Sequence, residues 1–506
     1  MSEEKVLNLL NKSQHPMTIE EIADQLHLSI RTARRALSSL ERKALVKITT
    51  LGNKKLYQPV LYHNLEKFMK AEVTGIPLTT LEDIAERYKR LKIDTKIQTR
   101  CKDYVRNTKP QELKKELIDF LKERIDALSR NKNEENQRKI NRLKKDLALL
   151  EGMEWIGNIS PIREETLPED NFTITGSDAS RDFLDMVWQC DFIPIIIRAS
   201  IIACVGVPFK YSNGEPEYGR MIRRPEIPLA AGGMFLEELS TRYPNLDETQ
   251  RNILSLILMN TAHFEFDREI IVKLKPNIHF HDGRLLPPHM HFMDFYYEWR
   301  RDALWRCFSS ALDLKSNAER MKCEIVGVVK EPHGETTVFS KILAMLLEKE
   351  ANIKYGTYPI EEFGAAKLFL DERTASWVIK VKPSKIYLPA DAESSARTVL
   401  KEDFERYLNH LKQSDYAFFL CRHRNGGIVR YDFYSYNGEN SIIRRDNVAS
   451  YADFIAESLI GKQWRPERYL VSVPSVVAIA DNESKNWVKT VANIIARYLK
   501  TKLLGG

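Results

Sequence analysis

From about residue 165 onward, short apolar runs alternate with helically spaced stretches, and this alternation constrains the fold more than any other feature. Residues 172–175, 193–202 continuing into 203–209, 277–281, 323–329, 375–382, 416–422, 428–434 and 470–479 read as strands. β-Branched and aromatic residues dominate these runs. Helical spacing falls near 247–274, 292–313, 335–349, 396–412, 448–461 and 482–500. Strands interleaved with helices predict an α/β fold, with a mixed sheet carrying helices on its faces.

Two of the apolar runs end in an aspartate followed by a small residue: Asp178-Ala179-Ser180 and Asp282-Gly283. Each run is expected to deliver a carboxylate to a point where the backbone turns. Although far apart in sequence, the two acids can then sit on neighbouring strand ends. Like charges held together repel, and burial strengthens the repulsion. A divalent cation held by carboxylates is the common remedy, and beside a phosphodiester it is hydrolytic chemistry.

The chain of 506 residues has room for roughly three domains of about 150 residues each. Residues 1–62 read as one compact unit. Thr18 is the expected N-cap of a helix starting at Ile19, with Glu20 and Glu21 in its first turn, where the helix dipole favours acids. A turn at His27-Leu28-Ser29 precedes a second helix from Ile30, and a two-stranded wing follows with a Gly52-Asn53 turn. This order resembles a winged-helix domain. Between Ile30 and Val60 stand eight Lys or Arg against one acid, Glu41. Arg31, Arg34, Arg35, Lys54 and Lys55 are therefore candidate contacts to nucleic acid, because recognition helix and wing are the elements that meet a groove and its phosphates. Winged helices also dock proteins, so a solvated basic face is the alternative.

Residues 63–164 read as a charged helical, coiled-coil-like arm. Leu113, Leu117, Leu121, Ile125 and Leu128 form one stripe; Ile140, Leu143, Leu147 and Leu150 form another, with a polar stretch between. The net charge is +7 and hydrophobic residues make up 43%, which fits a globular protein without demonstrating a polyanionic partner. Six scattered cysteines without a CxxC pair argue against a zinc cluster or a disulfide framework and favour reduced thiols. The N-terminus lacks the basic-then-apolar order of a signal peptide. The apolar stretch 192–207 is short and contains Arg198, so it reads as a buried hairpin rather than a membrane span. A cytoplasmic location is expected.

Residues 165–506 resemble the NurA nucleases, the partners of HerA-type translocases, which are built on a ribonuclease-H-like core. The motifs that carry the resemblance are Asp178-Ala179-Ser180, the helix bearing Glu265, Asp282-Gly283-Arg284-Leu285, a strand ending in Lys330, and Pro474 followed by an apolar run to Ala480-Asp481. At this last position the family has a histidine. The resemblance implies a divalent-metal-dependent deoxyribonuclease acting from 5′ ends and on single strands in DNA end processing or defence. It implies Asp178, Glu265, Asp282 and Asp481 as ligands of Mn²⁺ or Mg²⁺, Lys330 beside the scissile phosphate, a homodimer, and a HerA-like ATPase as partner. Asp481 cannot shuttle a proton as an imidazole does, but it can ligate metal. A catalytically inactive winged-helix DNA-binding or scaffold protein is the alternative.

Other signals are weaker. His279, His281, His289 and His291 lack cysteine partners or an HExxH helix, so strand-edge or substrate-contact roles outrank zinc. There is no GxxxxGK[ST] motif, so ATP-driven translocation needs a partner. Phe292, Phe295, Tyr296, Trp299 and Trp305 could stack on bases, but core packing is the commoner fate. Asp432 is expected to pair with Arg430.

Overall fold

The structure is a computed structural model, and it describes residues 5–6, 8–10, 17–42, 46–51, 54–59, 94–130, 133–163, 172–190, 193–212, 215–216, 233–238, 245–287, 294–295, 297–330, 337–356, 360–387, 401–423, 426–434, 441–458 and 474–503. The chain divides into two compact units, Met1–Asp94 and Thr95–Gly506.

In the first unit, α1 (Ile19–Gln25) and α2 (Ile30–Arg42) precede the hairpin β1 (Val46–Leu51) and β2 (Lys54–Pro59). Thr18 caps α1 reciprocally: the Glu21 amide donates to its hydroxyl at 3.3 Å, and the Thr18 amide donates to the Glu21 carboxylate at 2.7 Å. Ile22, Ala33, Leu37 and Leu40 are buried in one small core with Val6, Met17 and Tyr57. Arg31, Arg34 and Arg35 project from the exposed side of α2. Lys54 and Lys55 lie on β2, and their side chains are outside the described residues.

The second unit opens with three helices, α3 (Thr95–Asn107), α4 (Pro110–Ser129) and α5 (Glu134–Glu151). Strands β3 (Met153–Ile156) and β4 (Ser160–Pro161) lead to the long hairpin β5 (Phe172–Cys190) and β6 (Ile193–Ser212), then β7 (Glu215–Pro216) and β8 (Gly233–Glu238). Next come α6 (Glu248–Leu274), β9 (Ile278–Asp282), α7 (Glu298–Met321), β10 (Glu324–Val329), α8 (Phe339–Ala351) and α9 (Glu362–Phe369). The chain closes with β11 (Thr374–Ala375), β12 (Val378–Val381), α10 (Pro383–Ile386), α11 (Lys401–Gln413), β13 (Tyr416–Arg422), β14 (Ile428–Tyr434), α12 (Ser441–Ser458) and α13 (Ser475–Leu503).

Among the described residues these strands form a mixed sheet in the order β3-β12-β13-β14-β10-β9-β5-β6-β7. β9 runs parallel to both β5 and β10, while the outer pairs are antiparallel. Side chains alternate between the two faces of each strand. Ile174, Ile278, Phe280, Val326 and Val328 point to one face, where α12 and α13 cover them with Val448, Ala452, Val476 and Val477. α6 covers the other face of the β5–β6 hairpin through Ala262, Phe266 and Ile270 against Ala179, Ile202 and Cys204.

Two expectations need correction. The run 470–479 is not a strand. From Ser475 it is the start of α13, and residues 459–473 lie outside the described region. Val476, Val477 and Ala480 are all fully or nearly buried, and a short buried apolar run carries no periodicity that separates helix from strand. Asp178 does not end its strand, because β5 continues unbroken to Cys190. Of the stretch read as a charged helical, coiled-coil-like arm, α3, α4 and α5 belong to the same compact unit as the sheet. Leu113, Leu117 and Leu121 are fully buried; Gln111 and Lys114 donate to the Trp155 and Met153 carbonyls, and Arg124 pairs with Glu348. The aromatic residues take the commoner fate where they are described: Phe295 and Trp305 are buried and pack ring on ring at 4.7 Å, while Phe292 and Tyr296 lie outside the described residues.

Candidate functional site

Strand register brings the first two acids together. β5 pairs with β9 from Ile174↔Ile278 to Ser177↔His281. The next residues along each strand are Asp178 and Asp282, on the face covered by α13. β9 ends there, because Gly283 adopts φ +125°, a conformation that favours glycine. The Gly283 amide donates to the Val328 carbonyl at 3.0 Å, which fixes the turn against β10. Asp178 therefore stands mid-strand, yet at the point where β5 passes beyond its parallel partner.

α13 supplies the third acid. An added Cβ on Gly176 would come within 2.7–2.9 Å of Val476, including its backbone carbon. Glycine at this position thus lets the start of α13 approach β5 closely, which places Asp481 beside the two strand acids. Carboxylate oxygens of Asp178, Asp282 and Asp481 lie within 4.8 Å of one another. Asp178 and Asp481 are only 6% and 5% exposed.

An ammonium lies among them. Lys330, just past the end of β10, places Nζ 2.5 Å from Asp282 Oδ2 and 3.2 Å from Asp481 Oδ1. Burial opposes the charge of Lys330, but Asp282 and Asp481 outweigh it and hold its pKa above the usual lysine value. Burial and the neighbouring Asp178 carboxylate push the Asp282 pKa well above the ordinary carboxylate range, against the pull of Lys330. Ser484, one turn beyond Asp481, donates to Asp178 Oδ2, and Ser180 hydrogen-bonds Ser484 at 2.7 Å. Lys485 holds Asp481 Oδ2 at 2.7 Å. Sequence reasoning missed Ser484 and Lys485. Their signal was the spacing of three and four residues from Asp481, which shares one side of a helix; the helix was expected only from residue 482, which left Asp481 outside it.

Glu265 is not brought into this group. Its carboxylate accepts from Arg306 at 3.0 and 3.1 Å and from Ser310 at 3.3 Å, and it lies outside the cluster of acids. The position two residues on, Asp267, is fully buried on the opposite face of the sheet from the three aspartates. Asp432 pairs with Arg430 at 2.7 Å, as expected. His289 and His291 lie outside the described residues, whereas His279 and His281 are buried beside Asp267.

Three hard oxygen donors in a buried, mutually repelling group suit Mg²⁺ or Mn²⁺ better than a soft metal. The ammonium of Lys330 between two of the carboxylates is a sign that the site draws a cation. Among the described residues, no helix is long and apolar enough to cross a membrane.

Residues 2–57 match the family described as an HTH domain. No curated protein matches the chain. Among solved structures, the NurA nuclease from Sulfolobus solfataricus aligns over 72% of this chain and 93% of its own, at 11% identity and a TM-score of 0.38.

Proposed function

We propose that this protein is a divalent-metal-dependent deoxyribonuclease, with Asp178, Asp282 and Asp481 holding Mg²⁺ or Mn²⁺. The observation that carries this reading is the convergence of three carboxylates from β5, β9 and α13 on one point, with Lys330 among them. A bound divalent ion supplies Lewis-acid polarisation of a phosphodiester and activation of water. The chain's own residues do the rest. Ser484 and Ser180 orient Asp178, Lys485 steadies Asp481, and Lys330 carries positive charge toward an anionic substrate. Glu265 stands outside this set and acts through its pair with Arg306.

The same reading gives the sheet a ribonuclease-H-like arrangement, cleavage from 5′ ends and within single strands, and a domain division at about residues 62 and 164. It assigns DNA contact to Arg31, Arg34, Arg35, Lys54 and Lys55 of the helix-turn-helix unit, and extends to a homodimer, a HerA-like ATPase partner, a role in end processing or defence, and a cytoplasmic location. The fold core, cleavage mode, homodimer, ATPase partner and role come from the sequence resemblance; the DNA contacts, domain division and location come from charge and composition along the chain.

The test is incubation of the purified protein with end-labelled single-stranded DNA, with Mn²⁺ or with EDTA. Cleavage that requires Mn²⁺ and disappears in Asp178→Ala and Asp282→Ala, while DNA binding persists, is the expected result. Absence of Mn²⁺-dependent cleavage, alone or with a HerA-like ATPase, leaves the DNA-binding scaffold as the better reading.

A further inference from the structure

A second cluster of metal-ligating side chains lies behind the three aspartates, on the opposite face of β5 and β9. His263 and Asp267 stand four residues apart on α6, and His281 occupies the penultimate position of β9. All three are buried, at 3%, 0% and 1% exposure. One donor atom from each lies within 4.8 Å of the others. Ser177 donates its hydroxyl to Asp267 Oδ1 at 2.5 Å and lies 2.9 Å from His263 Nε2. His279 approaches the same carboxylate oxygen at 3.1 Å.

Two features of this cluster point to a ligand. Among the described residues no lysine or arginine pairs with Asp267, so a fully buried carboxylate meets only imidazoles and a hydroxyl. Buried charges are ordinarily paired with an opposite charge or bound to metal. The second feature is His281: its Nδ1 lies 2.6 Å from Asp267 Oδ2, while its buried Nε2 has no hydrogen-bond partner. The 2.6 Å contact places the proton on Nδ1, so Nδ1 becomes a ligand by giving up that proton as the ion enters, and the partnerless Nε2 can then carry it.

We propose that His263, Asp267 and His281 bind one divalent transition-metal ion of the zinc class. Two imidazoles and one carboxylate suit Zn²⁺ and its first-row neighbours, whereas the all-carboxylate group on the other face suits Mg²⁺ or Mn²⁺. Bonds of about 2.0–2.1 Å around a tetrahedral ion set donors roughly 3.4 Å apart. His263 Nε2 and Asp267 Oδ1 are 3.6 Å apart, close to that spacing. The Asp267–His281 contact at 2.6 Å is a hydrogen bond that opens as the ion enters. Full burial leaves no position for a substrate, so the ion is structural. It ties α6 to the residues immediately preceding Asp178 and Asp282. The inference stands whether or not the protein cleaves DNA.

The test reads bound metal rather than activity. The full-length protein is treated with EDTA, mixed with equimolar Zn²⁺ or Co²⁺, passed through a desalting column and assayed for metal by mass spectrometry. We expect one retained equivalent in the wild type and in the Asp178→Asn/Asp282→Asn double variant, and its loss in His263→Gln. Diffraction from Zn²⁺-loaded crystals at the zinc edge locates the ion in the wild type, so the outcome does not depend on any variant folding. An anomalous peak between α6 and β9 supports the proposal. No retained metal, or a peak only among the three aspartates, overturns it and identifies the cluster as a hydrogen-bonded network.

Discussion

Lys330 Nζ lies 2.5 Å from Asp282 Oδ2. An ammonium therefore neutralises the place where a divalent ion is proposed to bind, and the two cations compete for the same carboxylates. In Lys330→Met we expect the metal-free protein to lose stability and Mn²⁺ to bind more tightly, by about tenfold, within the usual range of coupling between two ligands at linked sites. Calorimetric titration with Mn²⁺ measures this directly. Unchanged or weaker binding would show that Lys330 helps the ion rather than competing with it.

The raised pKa of Asp282 makes metal-free stability depend on pH. An acid that holds its proton more tightly when folded contributes stability below its ordinary value of 3.8, and loses it as pH rises through the raised folded value. Without divalent ions, the Asp282 contribution to stability should therefore shrink as pH rises above the ordinary carboxylate range, read as the difference in melting temperature between the wild type and Asp282→Asn. Asp282→Asn should remove that part of the pH dependence and raise the melting temperature at neutral pH. Thermal denaturation in EDTA across the pH range checks both.

Glu265 and Asp481 make a discriminating pair. With Glu265 tied to Arg306 and Asp481 inside the acid cluster, Glu265→Gln should keep Mn²⁺-dependent cleavage within a few fold. Asp481→Asn should reduce it by about 100-fold or more, on the order of 3 kcal/mol of lost stabilisation. Single-turnover rates on labelled DNA decide it, and the reverse ranking would return Glu265 to the site.

His263 predicts acid sensitivity in the chelator-treated protein. Burial and the neighbouring His281 lower its pKa from 6.5 to about 4, against the pull of Asp267. The unfolded chain takes up this proton below pH 6.5, whereas the folded chain does not until about pH 4. The His263 contribution to stability should fall as pH drops through that window, opposite in sign to that of Asp282. His263→Gln should lose this part of the pH dependence, as followed by denaturant unfolding at pH 7, 6 and 5.

The sheet was legible in the sequence wherever apolar runs were bounded by turn residues: β9, β10, β13 and β14 fall where the pattern places them. Asp282 was equally legible, because Asp-Gly after an apolar run specifies a turn, and Gly283 makes it. Asp178 was found for an incomplete reason. Its strand does not end, and what sets the acid apart is the end of its neighbour β9, a property of pairing that no single strand records. Most of the helix that begins at Ser475 was legible, but its first two turns were not, because Val476, Val477 and Ala480 are buried together; Asp481 therefore stood outside the expected helix and its neighbours Ser484 and Lys485 were not linked to it. His263 and Asp267 went unnoticed because a histidine and an aspartate in an apolar helix carry no chemistry until the strand histidines face them.

The register that sets Asp178 opposite Asp282 also sets Ser177 opposite His281. Front and back of the sheet are thus written on consecutive residues of the same two strands. Inserting or deleting one residue in β5 before Asp178 would exchange the faces, aiming the carboxylate at the histidines and the serine at α13. Length changes are consequently forbidden between Phe172 and Asp178, however conservative their chemistry. Beyond its pairing with β9 the β5–β6 hairpin is released from this register and answers instead to β8, which pairs with β6 from Ala199 to Cys204.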